Sequence, residues 1–130
     1  MSWTSFLHSS QGIDAIYQGR SAPDLIGVQV REVVLHQNGP TLKLRLDLPR
    51  YPEQPPKKWN AQGFNTVQIE ISFSGLRSLT LEGFGTDVIA DVSLHEEGGV
   101  ILDVSSSTMQ LSAIAEVAFI SKLTAYTNGV

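Results

Sequence analysis

From Thr41 to Leu48, leucine occupies every second position: Leu42, Leu44, Leu46 and Leu48 fall on one side of an extended chain, with Lys43, Arg45 and Asp47 on the other. That two-residue period matches a β-strand, whose side chains alternate between faces, and a helix would scatter the same leucines around its circumference. The pattern recurs along the chain. Val67, Ile69, Ile71 and Phe73 alternate with Gln68, Glu70 and Ser72. Val88, Ala90, Val92 and Leu94 alternate with Ile89, Asp91, Ser93 and His95, and Val100, Leu102 and Val104 with Ile101, Asp103 and Ser105. Such segments build antiparallel sheets with one face in a core and one in water.

The breaks between segments suggest how the strands connect. Asn38-Gly39 predicts a hairpin through a type I′ turn, because both central residues of that turn need positive φ. Ser74-Gly75 predicts a second hairpin into a shorter strand around Leu79 and Leu81. After the Gly83-Phe84-Gly85 break, Glu96-Glu97-Gly98-Gly99 predicts a third. Upstream, Pro23 opens an extended run from Leu25 to Gln37, and its alternation slips around Arg31, Glu32 and Val33, as a β-bulge would make it do.

The final segment, Thr108 to Tyr126, has two readings. Met109, Leu111, Ala113, Ala115, Val117 and Phe119 alternate like one long strand, whereas Leu111, Ile114 and Ala118 would also line a helix. β-branched residues in its second half and the lack of a preceding cap decide for strand. At the other end, residues 2 to 8 fit a short helix. Ser10 is placed to cap a second one through Ile13, Ile16 and Tyr17, with Gly19 to end it. The expected fold is mainly β, an antiparallel β-sandwich or open barrel of about seven strands with one or two short N-terminal helices. At 130 residues the chain fits one domain, 1–130.

The longest interruption is Pro49 to Gly63, which holds four of the six prolines and one of the two tryptophans. Pro52, Pro55 and Pro56 favour a polyproline-like course that cannot join a ladder. Two readings fit it. A stiff spacer would present Lys57, Lys58 and Trp59 to a partner; a crossover between sheets would use Trp59 to cover the open end of the core.

Charge is distributed unevenly. Between Ser78 and Ser121 there are seven acids, Glu82, Asp87, Asp91, Glu96, Glu97, Asp103 and Glu116, and no lysine or arginine; the remainder carries six acids against nine bases, or +3. A formal net charge of −4 argues against a nucleic-acid partner. Asp87, Asp91 and Asp103 with the hairpin-tip pair Glu96 and Glu97 are candidates for a surface that steers a basic protein, and plain solvation of outward strand positions is the competing account.

Nothing in the sequence signals catalysis. There is no cysteine, hence no disulfide and no thiol nucleophile. His8, His36 and His95 stand too far apart for metal-ligand spacing. Ser105-Ser106-Ser107 lacks a nucleophile elbow and reads as a turn or strand edge, and Gly83-Phe84-Gly85-Thr86 lacks the glycines and lysine of a phosphate cradle. No cofactor and no metal are expected, and the protein is not expected to be an enzyme. No window reaches the length of a membrane span, and the first residues have neither a basic leader nor an apolar core. The expected address is the cytoplasm.

Several of these runs occur together in one family. Ile16-Tyr17-Gln18-Gly19 with Pro23-Asp24-Leu25, Asn38-Gly39-Pro40 before Leu42-Lys43-Leu44-Arg45-Leu46, Pro55-Pro56-Lys57-Lys58-Trp59 and Val67-Gln68-Ile69-Glu70-Ile71 resemble the bacterial immunity protein 50 family of polymorphic toxin systems. The likeness runs from about residue 3 to residue 125, and Pro-Pro-Lys-Lys-Trp is its most specific part. The resemblance implies a mostly β, cytosolic protein that binds and neutralises a cognate toxin domain by occlusion. It implies no particular contact residues. The alternative is a structural or oligomerising β module, a homodimer paired through an edge strand being the simplest form.

Overall fold

The computed structural model describes residues 2–18 and 22–129. Eight strands form one antiparallel, open sheet: β1 (Val28–His36), β2 (Thr41–Asp47), β3 (Thr66–Ser74), β4 (Ser78–Glu82), β5 (Val88–Glu96), β6 (Val100–Ser105), β7 (Gln110–Ala115) and β8 (Val117–Tyr126). Their lateral order is β4-β7-β6-β5-β1-β2-β3-β8. The alternating apolar residues of β2, β3, β5 and β6 point inward, and Leu42, Leu44, Leu46, Ile69, Ile71, Phe73 and Leu102 are fully buried in one continuous core; past Glu116 the alternation changes face, so Ala118 is buried and Phe119, expected on the core side, is exposed. The expected bulge lies in β1, where the pairing with β2 steps from Val30 to Glu32 and leaves Arg31 as the extra residue.

The first hairpin forms as expected but not through the expected turn. β1 and β2 close at His36 opposite Thr41, so the loop is four residues long; Gly39 has φ +99° and Asn38 does not have positive φ. Pro40 explains the change. A two-residue turn at Asn38-Gly39 needs the N–H of residue 40 to close it, and proline has none.

The second expected hairpin does not exist. β3 pairs with β2 and β8, and β4 pairs with β7, so Ser74-Gly75 does not fold β4 back on β3. Instead β3 continues into β4 past a bend at residues 75–77, and β7 continues into β8 past a matching bend at Glu116. Ser74 pairs with Val117 on one side of the bend and Ser78 with Ile114 on the other. The segment expected to be one strand from Thr108 to Tyr126 is therefore two, which raises the strand count to eight.

Three backbone hydrogen bonds and one arginine side chain fix the bend. The Glu116 N–H reaches the carbonyls of Ser74 (3.0 Å) and Gly75 (3.1 Å), and the Arg77 N–H donates to the Ile114 carbonyl at 2.7 Å. The Arg77 guanidinium then donates to the Gly98 carbonyl and pairs with Glu116 at 3.0 Å, tying in the β5–β6 hairpin. Gly75 has φ +67°, and a Cβ there would lie 2.3 Å from the Glu116 Cγ. No other residue type fits this position without strain.

The proline-rich crossover is also more structured than expected. Directly after Pro56 the chain forms α2 (Lys57–Gln62), ended by Gly63 in the left-handed region at φ +68°. One turn of helix is enough to swing Trp59 inward, where it is 7% exposed and stacks obliquely on Tyr51 with ring centroids 6.4 Å apart. It caps the core.

The N-terminal segment is a short 3-10 helix, Trp3–Phe6, followed by α1 (Gln11–Tyr17). Both are lids: Trp3, Ile13, Ile16 and Tyr17 are buried, the Trp3 indole N–H donates to the Pro23 carbonyl, and the Tyr17 hydroxyl donates to the Arg50 carbonyl at 2.6 Å. Ser10 stands at the start of α1 but does not cap it with its side chain, because its hydroxyl donates to Asp14 at 2.7 Å instead. The stop expected at Gly19 lies outside the described residues. No described helix is long and apolar enough to cross a membrane.

Candidate interaction surface

Covering the inner side of the sheet leaves its outer side as the place where this protein presents chemistry. The outer side has two regions of different character. Over β5, β6 and β7 the register sets Ser93 opposite Asp103, Asp103 opposite Ser112, and Asp91 opposite Ser105. Asp91 and Asp103 are thus diagonal neighbours on one exposed face. Asp87, Ile89 and Asp91 follow one another at every second position along the entry to β5 and share that face.

This row is held in place by its neighbours. Asp87 accepts from the Gln29 side chain at 2.8 Å, and Asp91 accepts from the Gly27 N–H at 3.0 Å. Between them Ile89 is 55% exposed, and Ile26, on the loop that carries Gly27, is 60% exposed. Asp103 accepts from Ser112 at 2.9 Å. Fixed carboxylates on either side give the exposed Ile89 a negative rim. That arrangement was not legible from composition, since Ile89 shows only as one more outward residue of an alternating strand.

The other candidate residues lie elsewhere. Glu96 and Glu97 are exposed at the β5–β6 tip, beyond the row, where Arg77 reaches the neighbouring Gly98 carbonyl. Lys57 and Lys58 are exposed on α2, in the β2–β3 crossover, and among the described residues no hydrogen bond or ion pair joins them to the acids. Trp59 faces the core. The stiff spacer displaying Lys57, Lys58 and Trp59 together is therefore corrected: the helix turns the tryptophan inward and leaves the lysines outside.

Over β1, β2, β3 and β8 the outer face holds a network that alternation alone did not reveal. Asp47, expected to face water, is 5% exposed; it accepts from Arg31 Nε at 2.7 Å, from the Tyr126 hydroxyl at 2.6 Å and from Gln68 at 2.9 Å. Glu70 and Ser72 are buried on the same side. Ser121, the extra residue of a bulge in β8, lies 2.7 Å from both the Ser72 hydroxyl and the Glu70 carboxylate. The hydrogen bond to Asp47 holds the Arg31 pKa above its ordinary value. Burial, reinforced by Asp47, raises that of Tyr126. The signal available in the sequence was the facing of Lys43, Arg45 and Asp47 by Gln68, Glu70 and Ser72 once β2 and β3 are paired.

Two shallow hollows of about 400 Å³ open on the surface, one over Arg31, Arg45 and Tyr126 and one between α1 and β8. Among the described residues no three His, Asp or Glu side chains are placed to share a metal ion.

An open antiparallel sheet with a lidded core and polar side chains fixed on its outer face defines a small, mainly β protein. The family model for Immunity protein 50 matches residues 10–126, and the chain belongs to that family. The family name implies a protein partner. No curated protein and no solved structure matches the chain.

Proposed function

We propose that this protein neutralises a cognate polymorphic toxin by binding it through the acidic outer face of β5 and β6 and occluding its working surface, without chemistry of its own. The observation that carries the reading is the Asp87-Ile89-Asp91 row: two carboxylates prearranged by Gln29 and Gly27 flank an isoleucine side chain left in water. Preset side chains lose less entropy on binding, and a few desolvated apolar residues dominate most interfaces. Asp103, Glu96 and Glu97 extend the negative field that would steer a basic toxin domain in the cytoplasm.

The test is association kinetics with the cognate toxin domain. Replacing Asp91, Glu96 and Glu97 together by Lys is expected to slow association at least about tenfold at low salt, with the deficit shrinking as salt rises. Ile89→Ala is expected to speed dissociation instead. An unchanged association rate at low salt, with folding intact, removes the acidic face from the mechanism.

A further inference from the structure

β8 is an edge strand. Among the described residues β3 is its only strand neighbour, and its other side faces the N-terminal segment. That segment meets β8 at one backbone hydrogen bond, from the His8 N–H to the Ala118 carbonyl at 2.8 Å. Past this point the two diverge. They enclose the hollow of about 400 Å³ lined by His8, Ile13, Phe119, Ile120, Lys122 and Leu123. The edge of a sheet carries backbone donors and acceptors that can pair with any extended chain, and native proteins usually cover it. Here the cover stops after one rung.

We propose that this seam is a second docking site, which takes up an extended segment of a protein partner as an added strand beside β8. The chemistry of the seam specifies the segment. Ile120 and Leu123, half-buried above the buried Ile13, offer apolar contact to alternate side chains of an incoming strand, and Phe119, 37% exposed, adds a ring at the mouth. Lys122 and His8 are the titratable residues of the lining, and no carboxylate is among them. Lys122 is exposed, and Glu70, its cross-strand neighbour, takes its ion pair from Lys43 at 3.9 Å. The favoured occupant therefore carries an acidic residue between apolar ones.

A second copy of this chain fits the seam less well. Antiparallel pairing of β8 with β8 centred on residues 119–123 would set two Lys122 side chains on one diagonal in a partly desolvated groove. The bulge at Ser121 works in the same direction, since it bends β8 and interrupts long regular pairing. Both features disfavour self-association and leave a short acidic segment welcome.

The proposal rests on reading the chain as a binding protein, but its test needs no toxin. The probes are blocked pentapeptides, acetyl-Thr-Val-Glu-Val-Thr-amide, its lysine counterpart, and the glutamate form with alternate backbone nitrogens methylated. Each is titrated into the full-length protein and followed by amide NMR. The glutamate peptide is expected to shift amides of residues 8–13 and 118–125, with the lysine peptide at least about fivefold weaker and the methylated one inert. Lys122→Gln, on an exposed side chain, is expected to erase the glutamate preference while some binding persists. Three outcomes overturn the site: no shifts along β8, equal binding of the two charged peptides, or undiminished binding of the methylated one. Slow toxin association in the acidic-face variant with intact peptide binding would leave both proposals standing. Peptide failure beside normal toxin steering would remove only this one.

Discussion

Asp47 shows what a single position can hide. Its place in the alternation Leu42, Lys43, Leu44, Arg45, Leu46, Asp47 gives its face correctly but not its burial. That depends on Arg31, displaced by the β1 bulge, and on Tyr126 from the other end of the chain. Asp47→Ala would leave Arg31, Gln68 and Tyr126 without their shared acceptor. Chemical denaturation should show a loss of about 2–3 kcal/mol, below the cost of breaking a fully buried pair because Arg31 keeps more than a third of its side-chain surface in water. Tyr17 supplies a prediction about pH. Burial pushes its hydroxyl up to about 12, with Arg50 opposing the shift and Tyr51 adding to it. The folded state thus prefers the neutral phenol, and its contribution is complete below the ordinary tyrosine value of about 10 and lost as the pH rises from there through 12. Alkaline unfolding followed by circular dichroism should begin in that window, and Tyr17→Phe should flatten the part of the slope that Tyr17 contributes.

At the scale of elements, the strands were legible and their partnerships were only partly so. Alternation identifies a strand without saying whether a following glycine folds the chain back or merely bends it. Ser74-Gly75 looks like a hairpin turn because Gly75 does need positive φ, yet that φ serves a bend against Glu116. Only the matching break in the last segment, at a residue that sequence treats as one more polar position, tells the two apart. Gly75→Ala combines an unfavourable φ with a Cβ 2.3 Å from the Glu116 Cγ, and it should cost about 1–3 kcal/mol in denaturation. The Arg77 hydrogen bond lowers the Glu116 pKa, so the pair's contribution is present above the usual glutamate range and fades as the pH falls through the lowered value. In the crossover, the prolines concealed a helix of six residues, too short for any periodicity to show. Trp59→Ala should destabilise by about 3–5 kcal/mol, whereas Lys57→Ala and Lys58→Ala, both in water, should stay within about 0.5 kcal/mol of the parent.

For the whole molecule, the clearest property is the separation of charge along one sheet: acids without lysine or arginine from Ser78 to Ser121, mixed and net positive signs elsewhere. The sequence displays that separation outright, and alternation places Asp87, Asp91 and Asp103 on the wet side. The fixing of Asp87 and Asp91 around Ile89 and the seam beside β8 come from tertiary placement, which no local pattern encodes. Because the two regions share the bent ribbons β3–β4 and β7–β8, they should lose structure together. Hydrogen exchange should report similar protection for β3 and β7, and a clear difference would mean that the bend uncouples them.

The same ribbons also set an order of assembly. β3 has β2 beside it soon after synthesis, but Thr66 must wait for Tyr126 to complete its other side. Until the last strand emerges from the ribosome, a run containing Val67, Ile69, Ile71 and Phe73 has one unsatisfied flank, open to pairing with other nascent chains. Chains ending before Val117 should therefore engage chaperones strongly, and chains that extend through β8 should not.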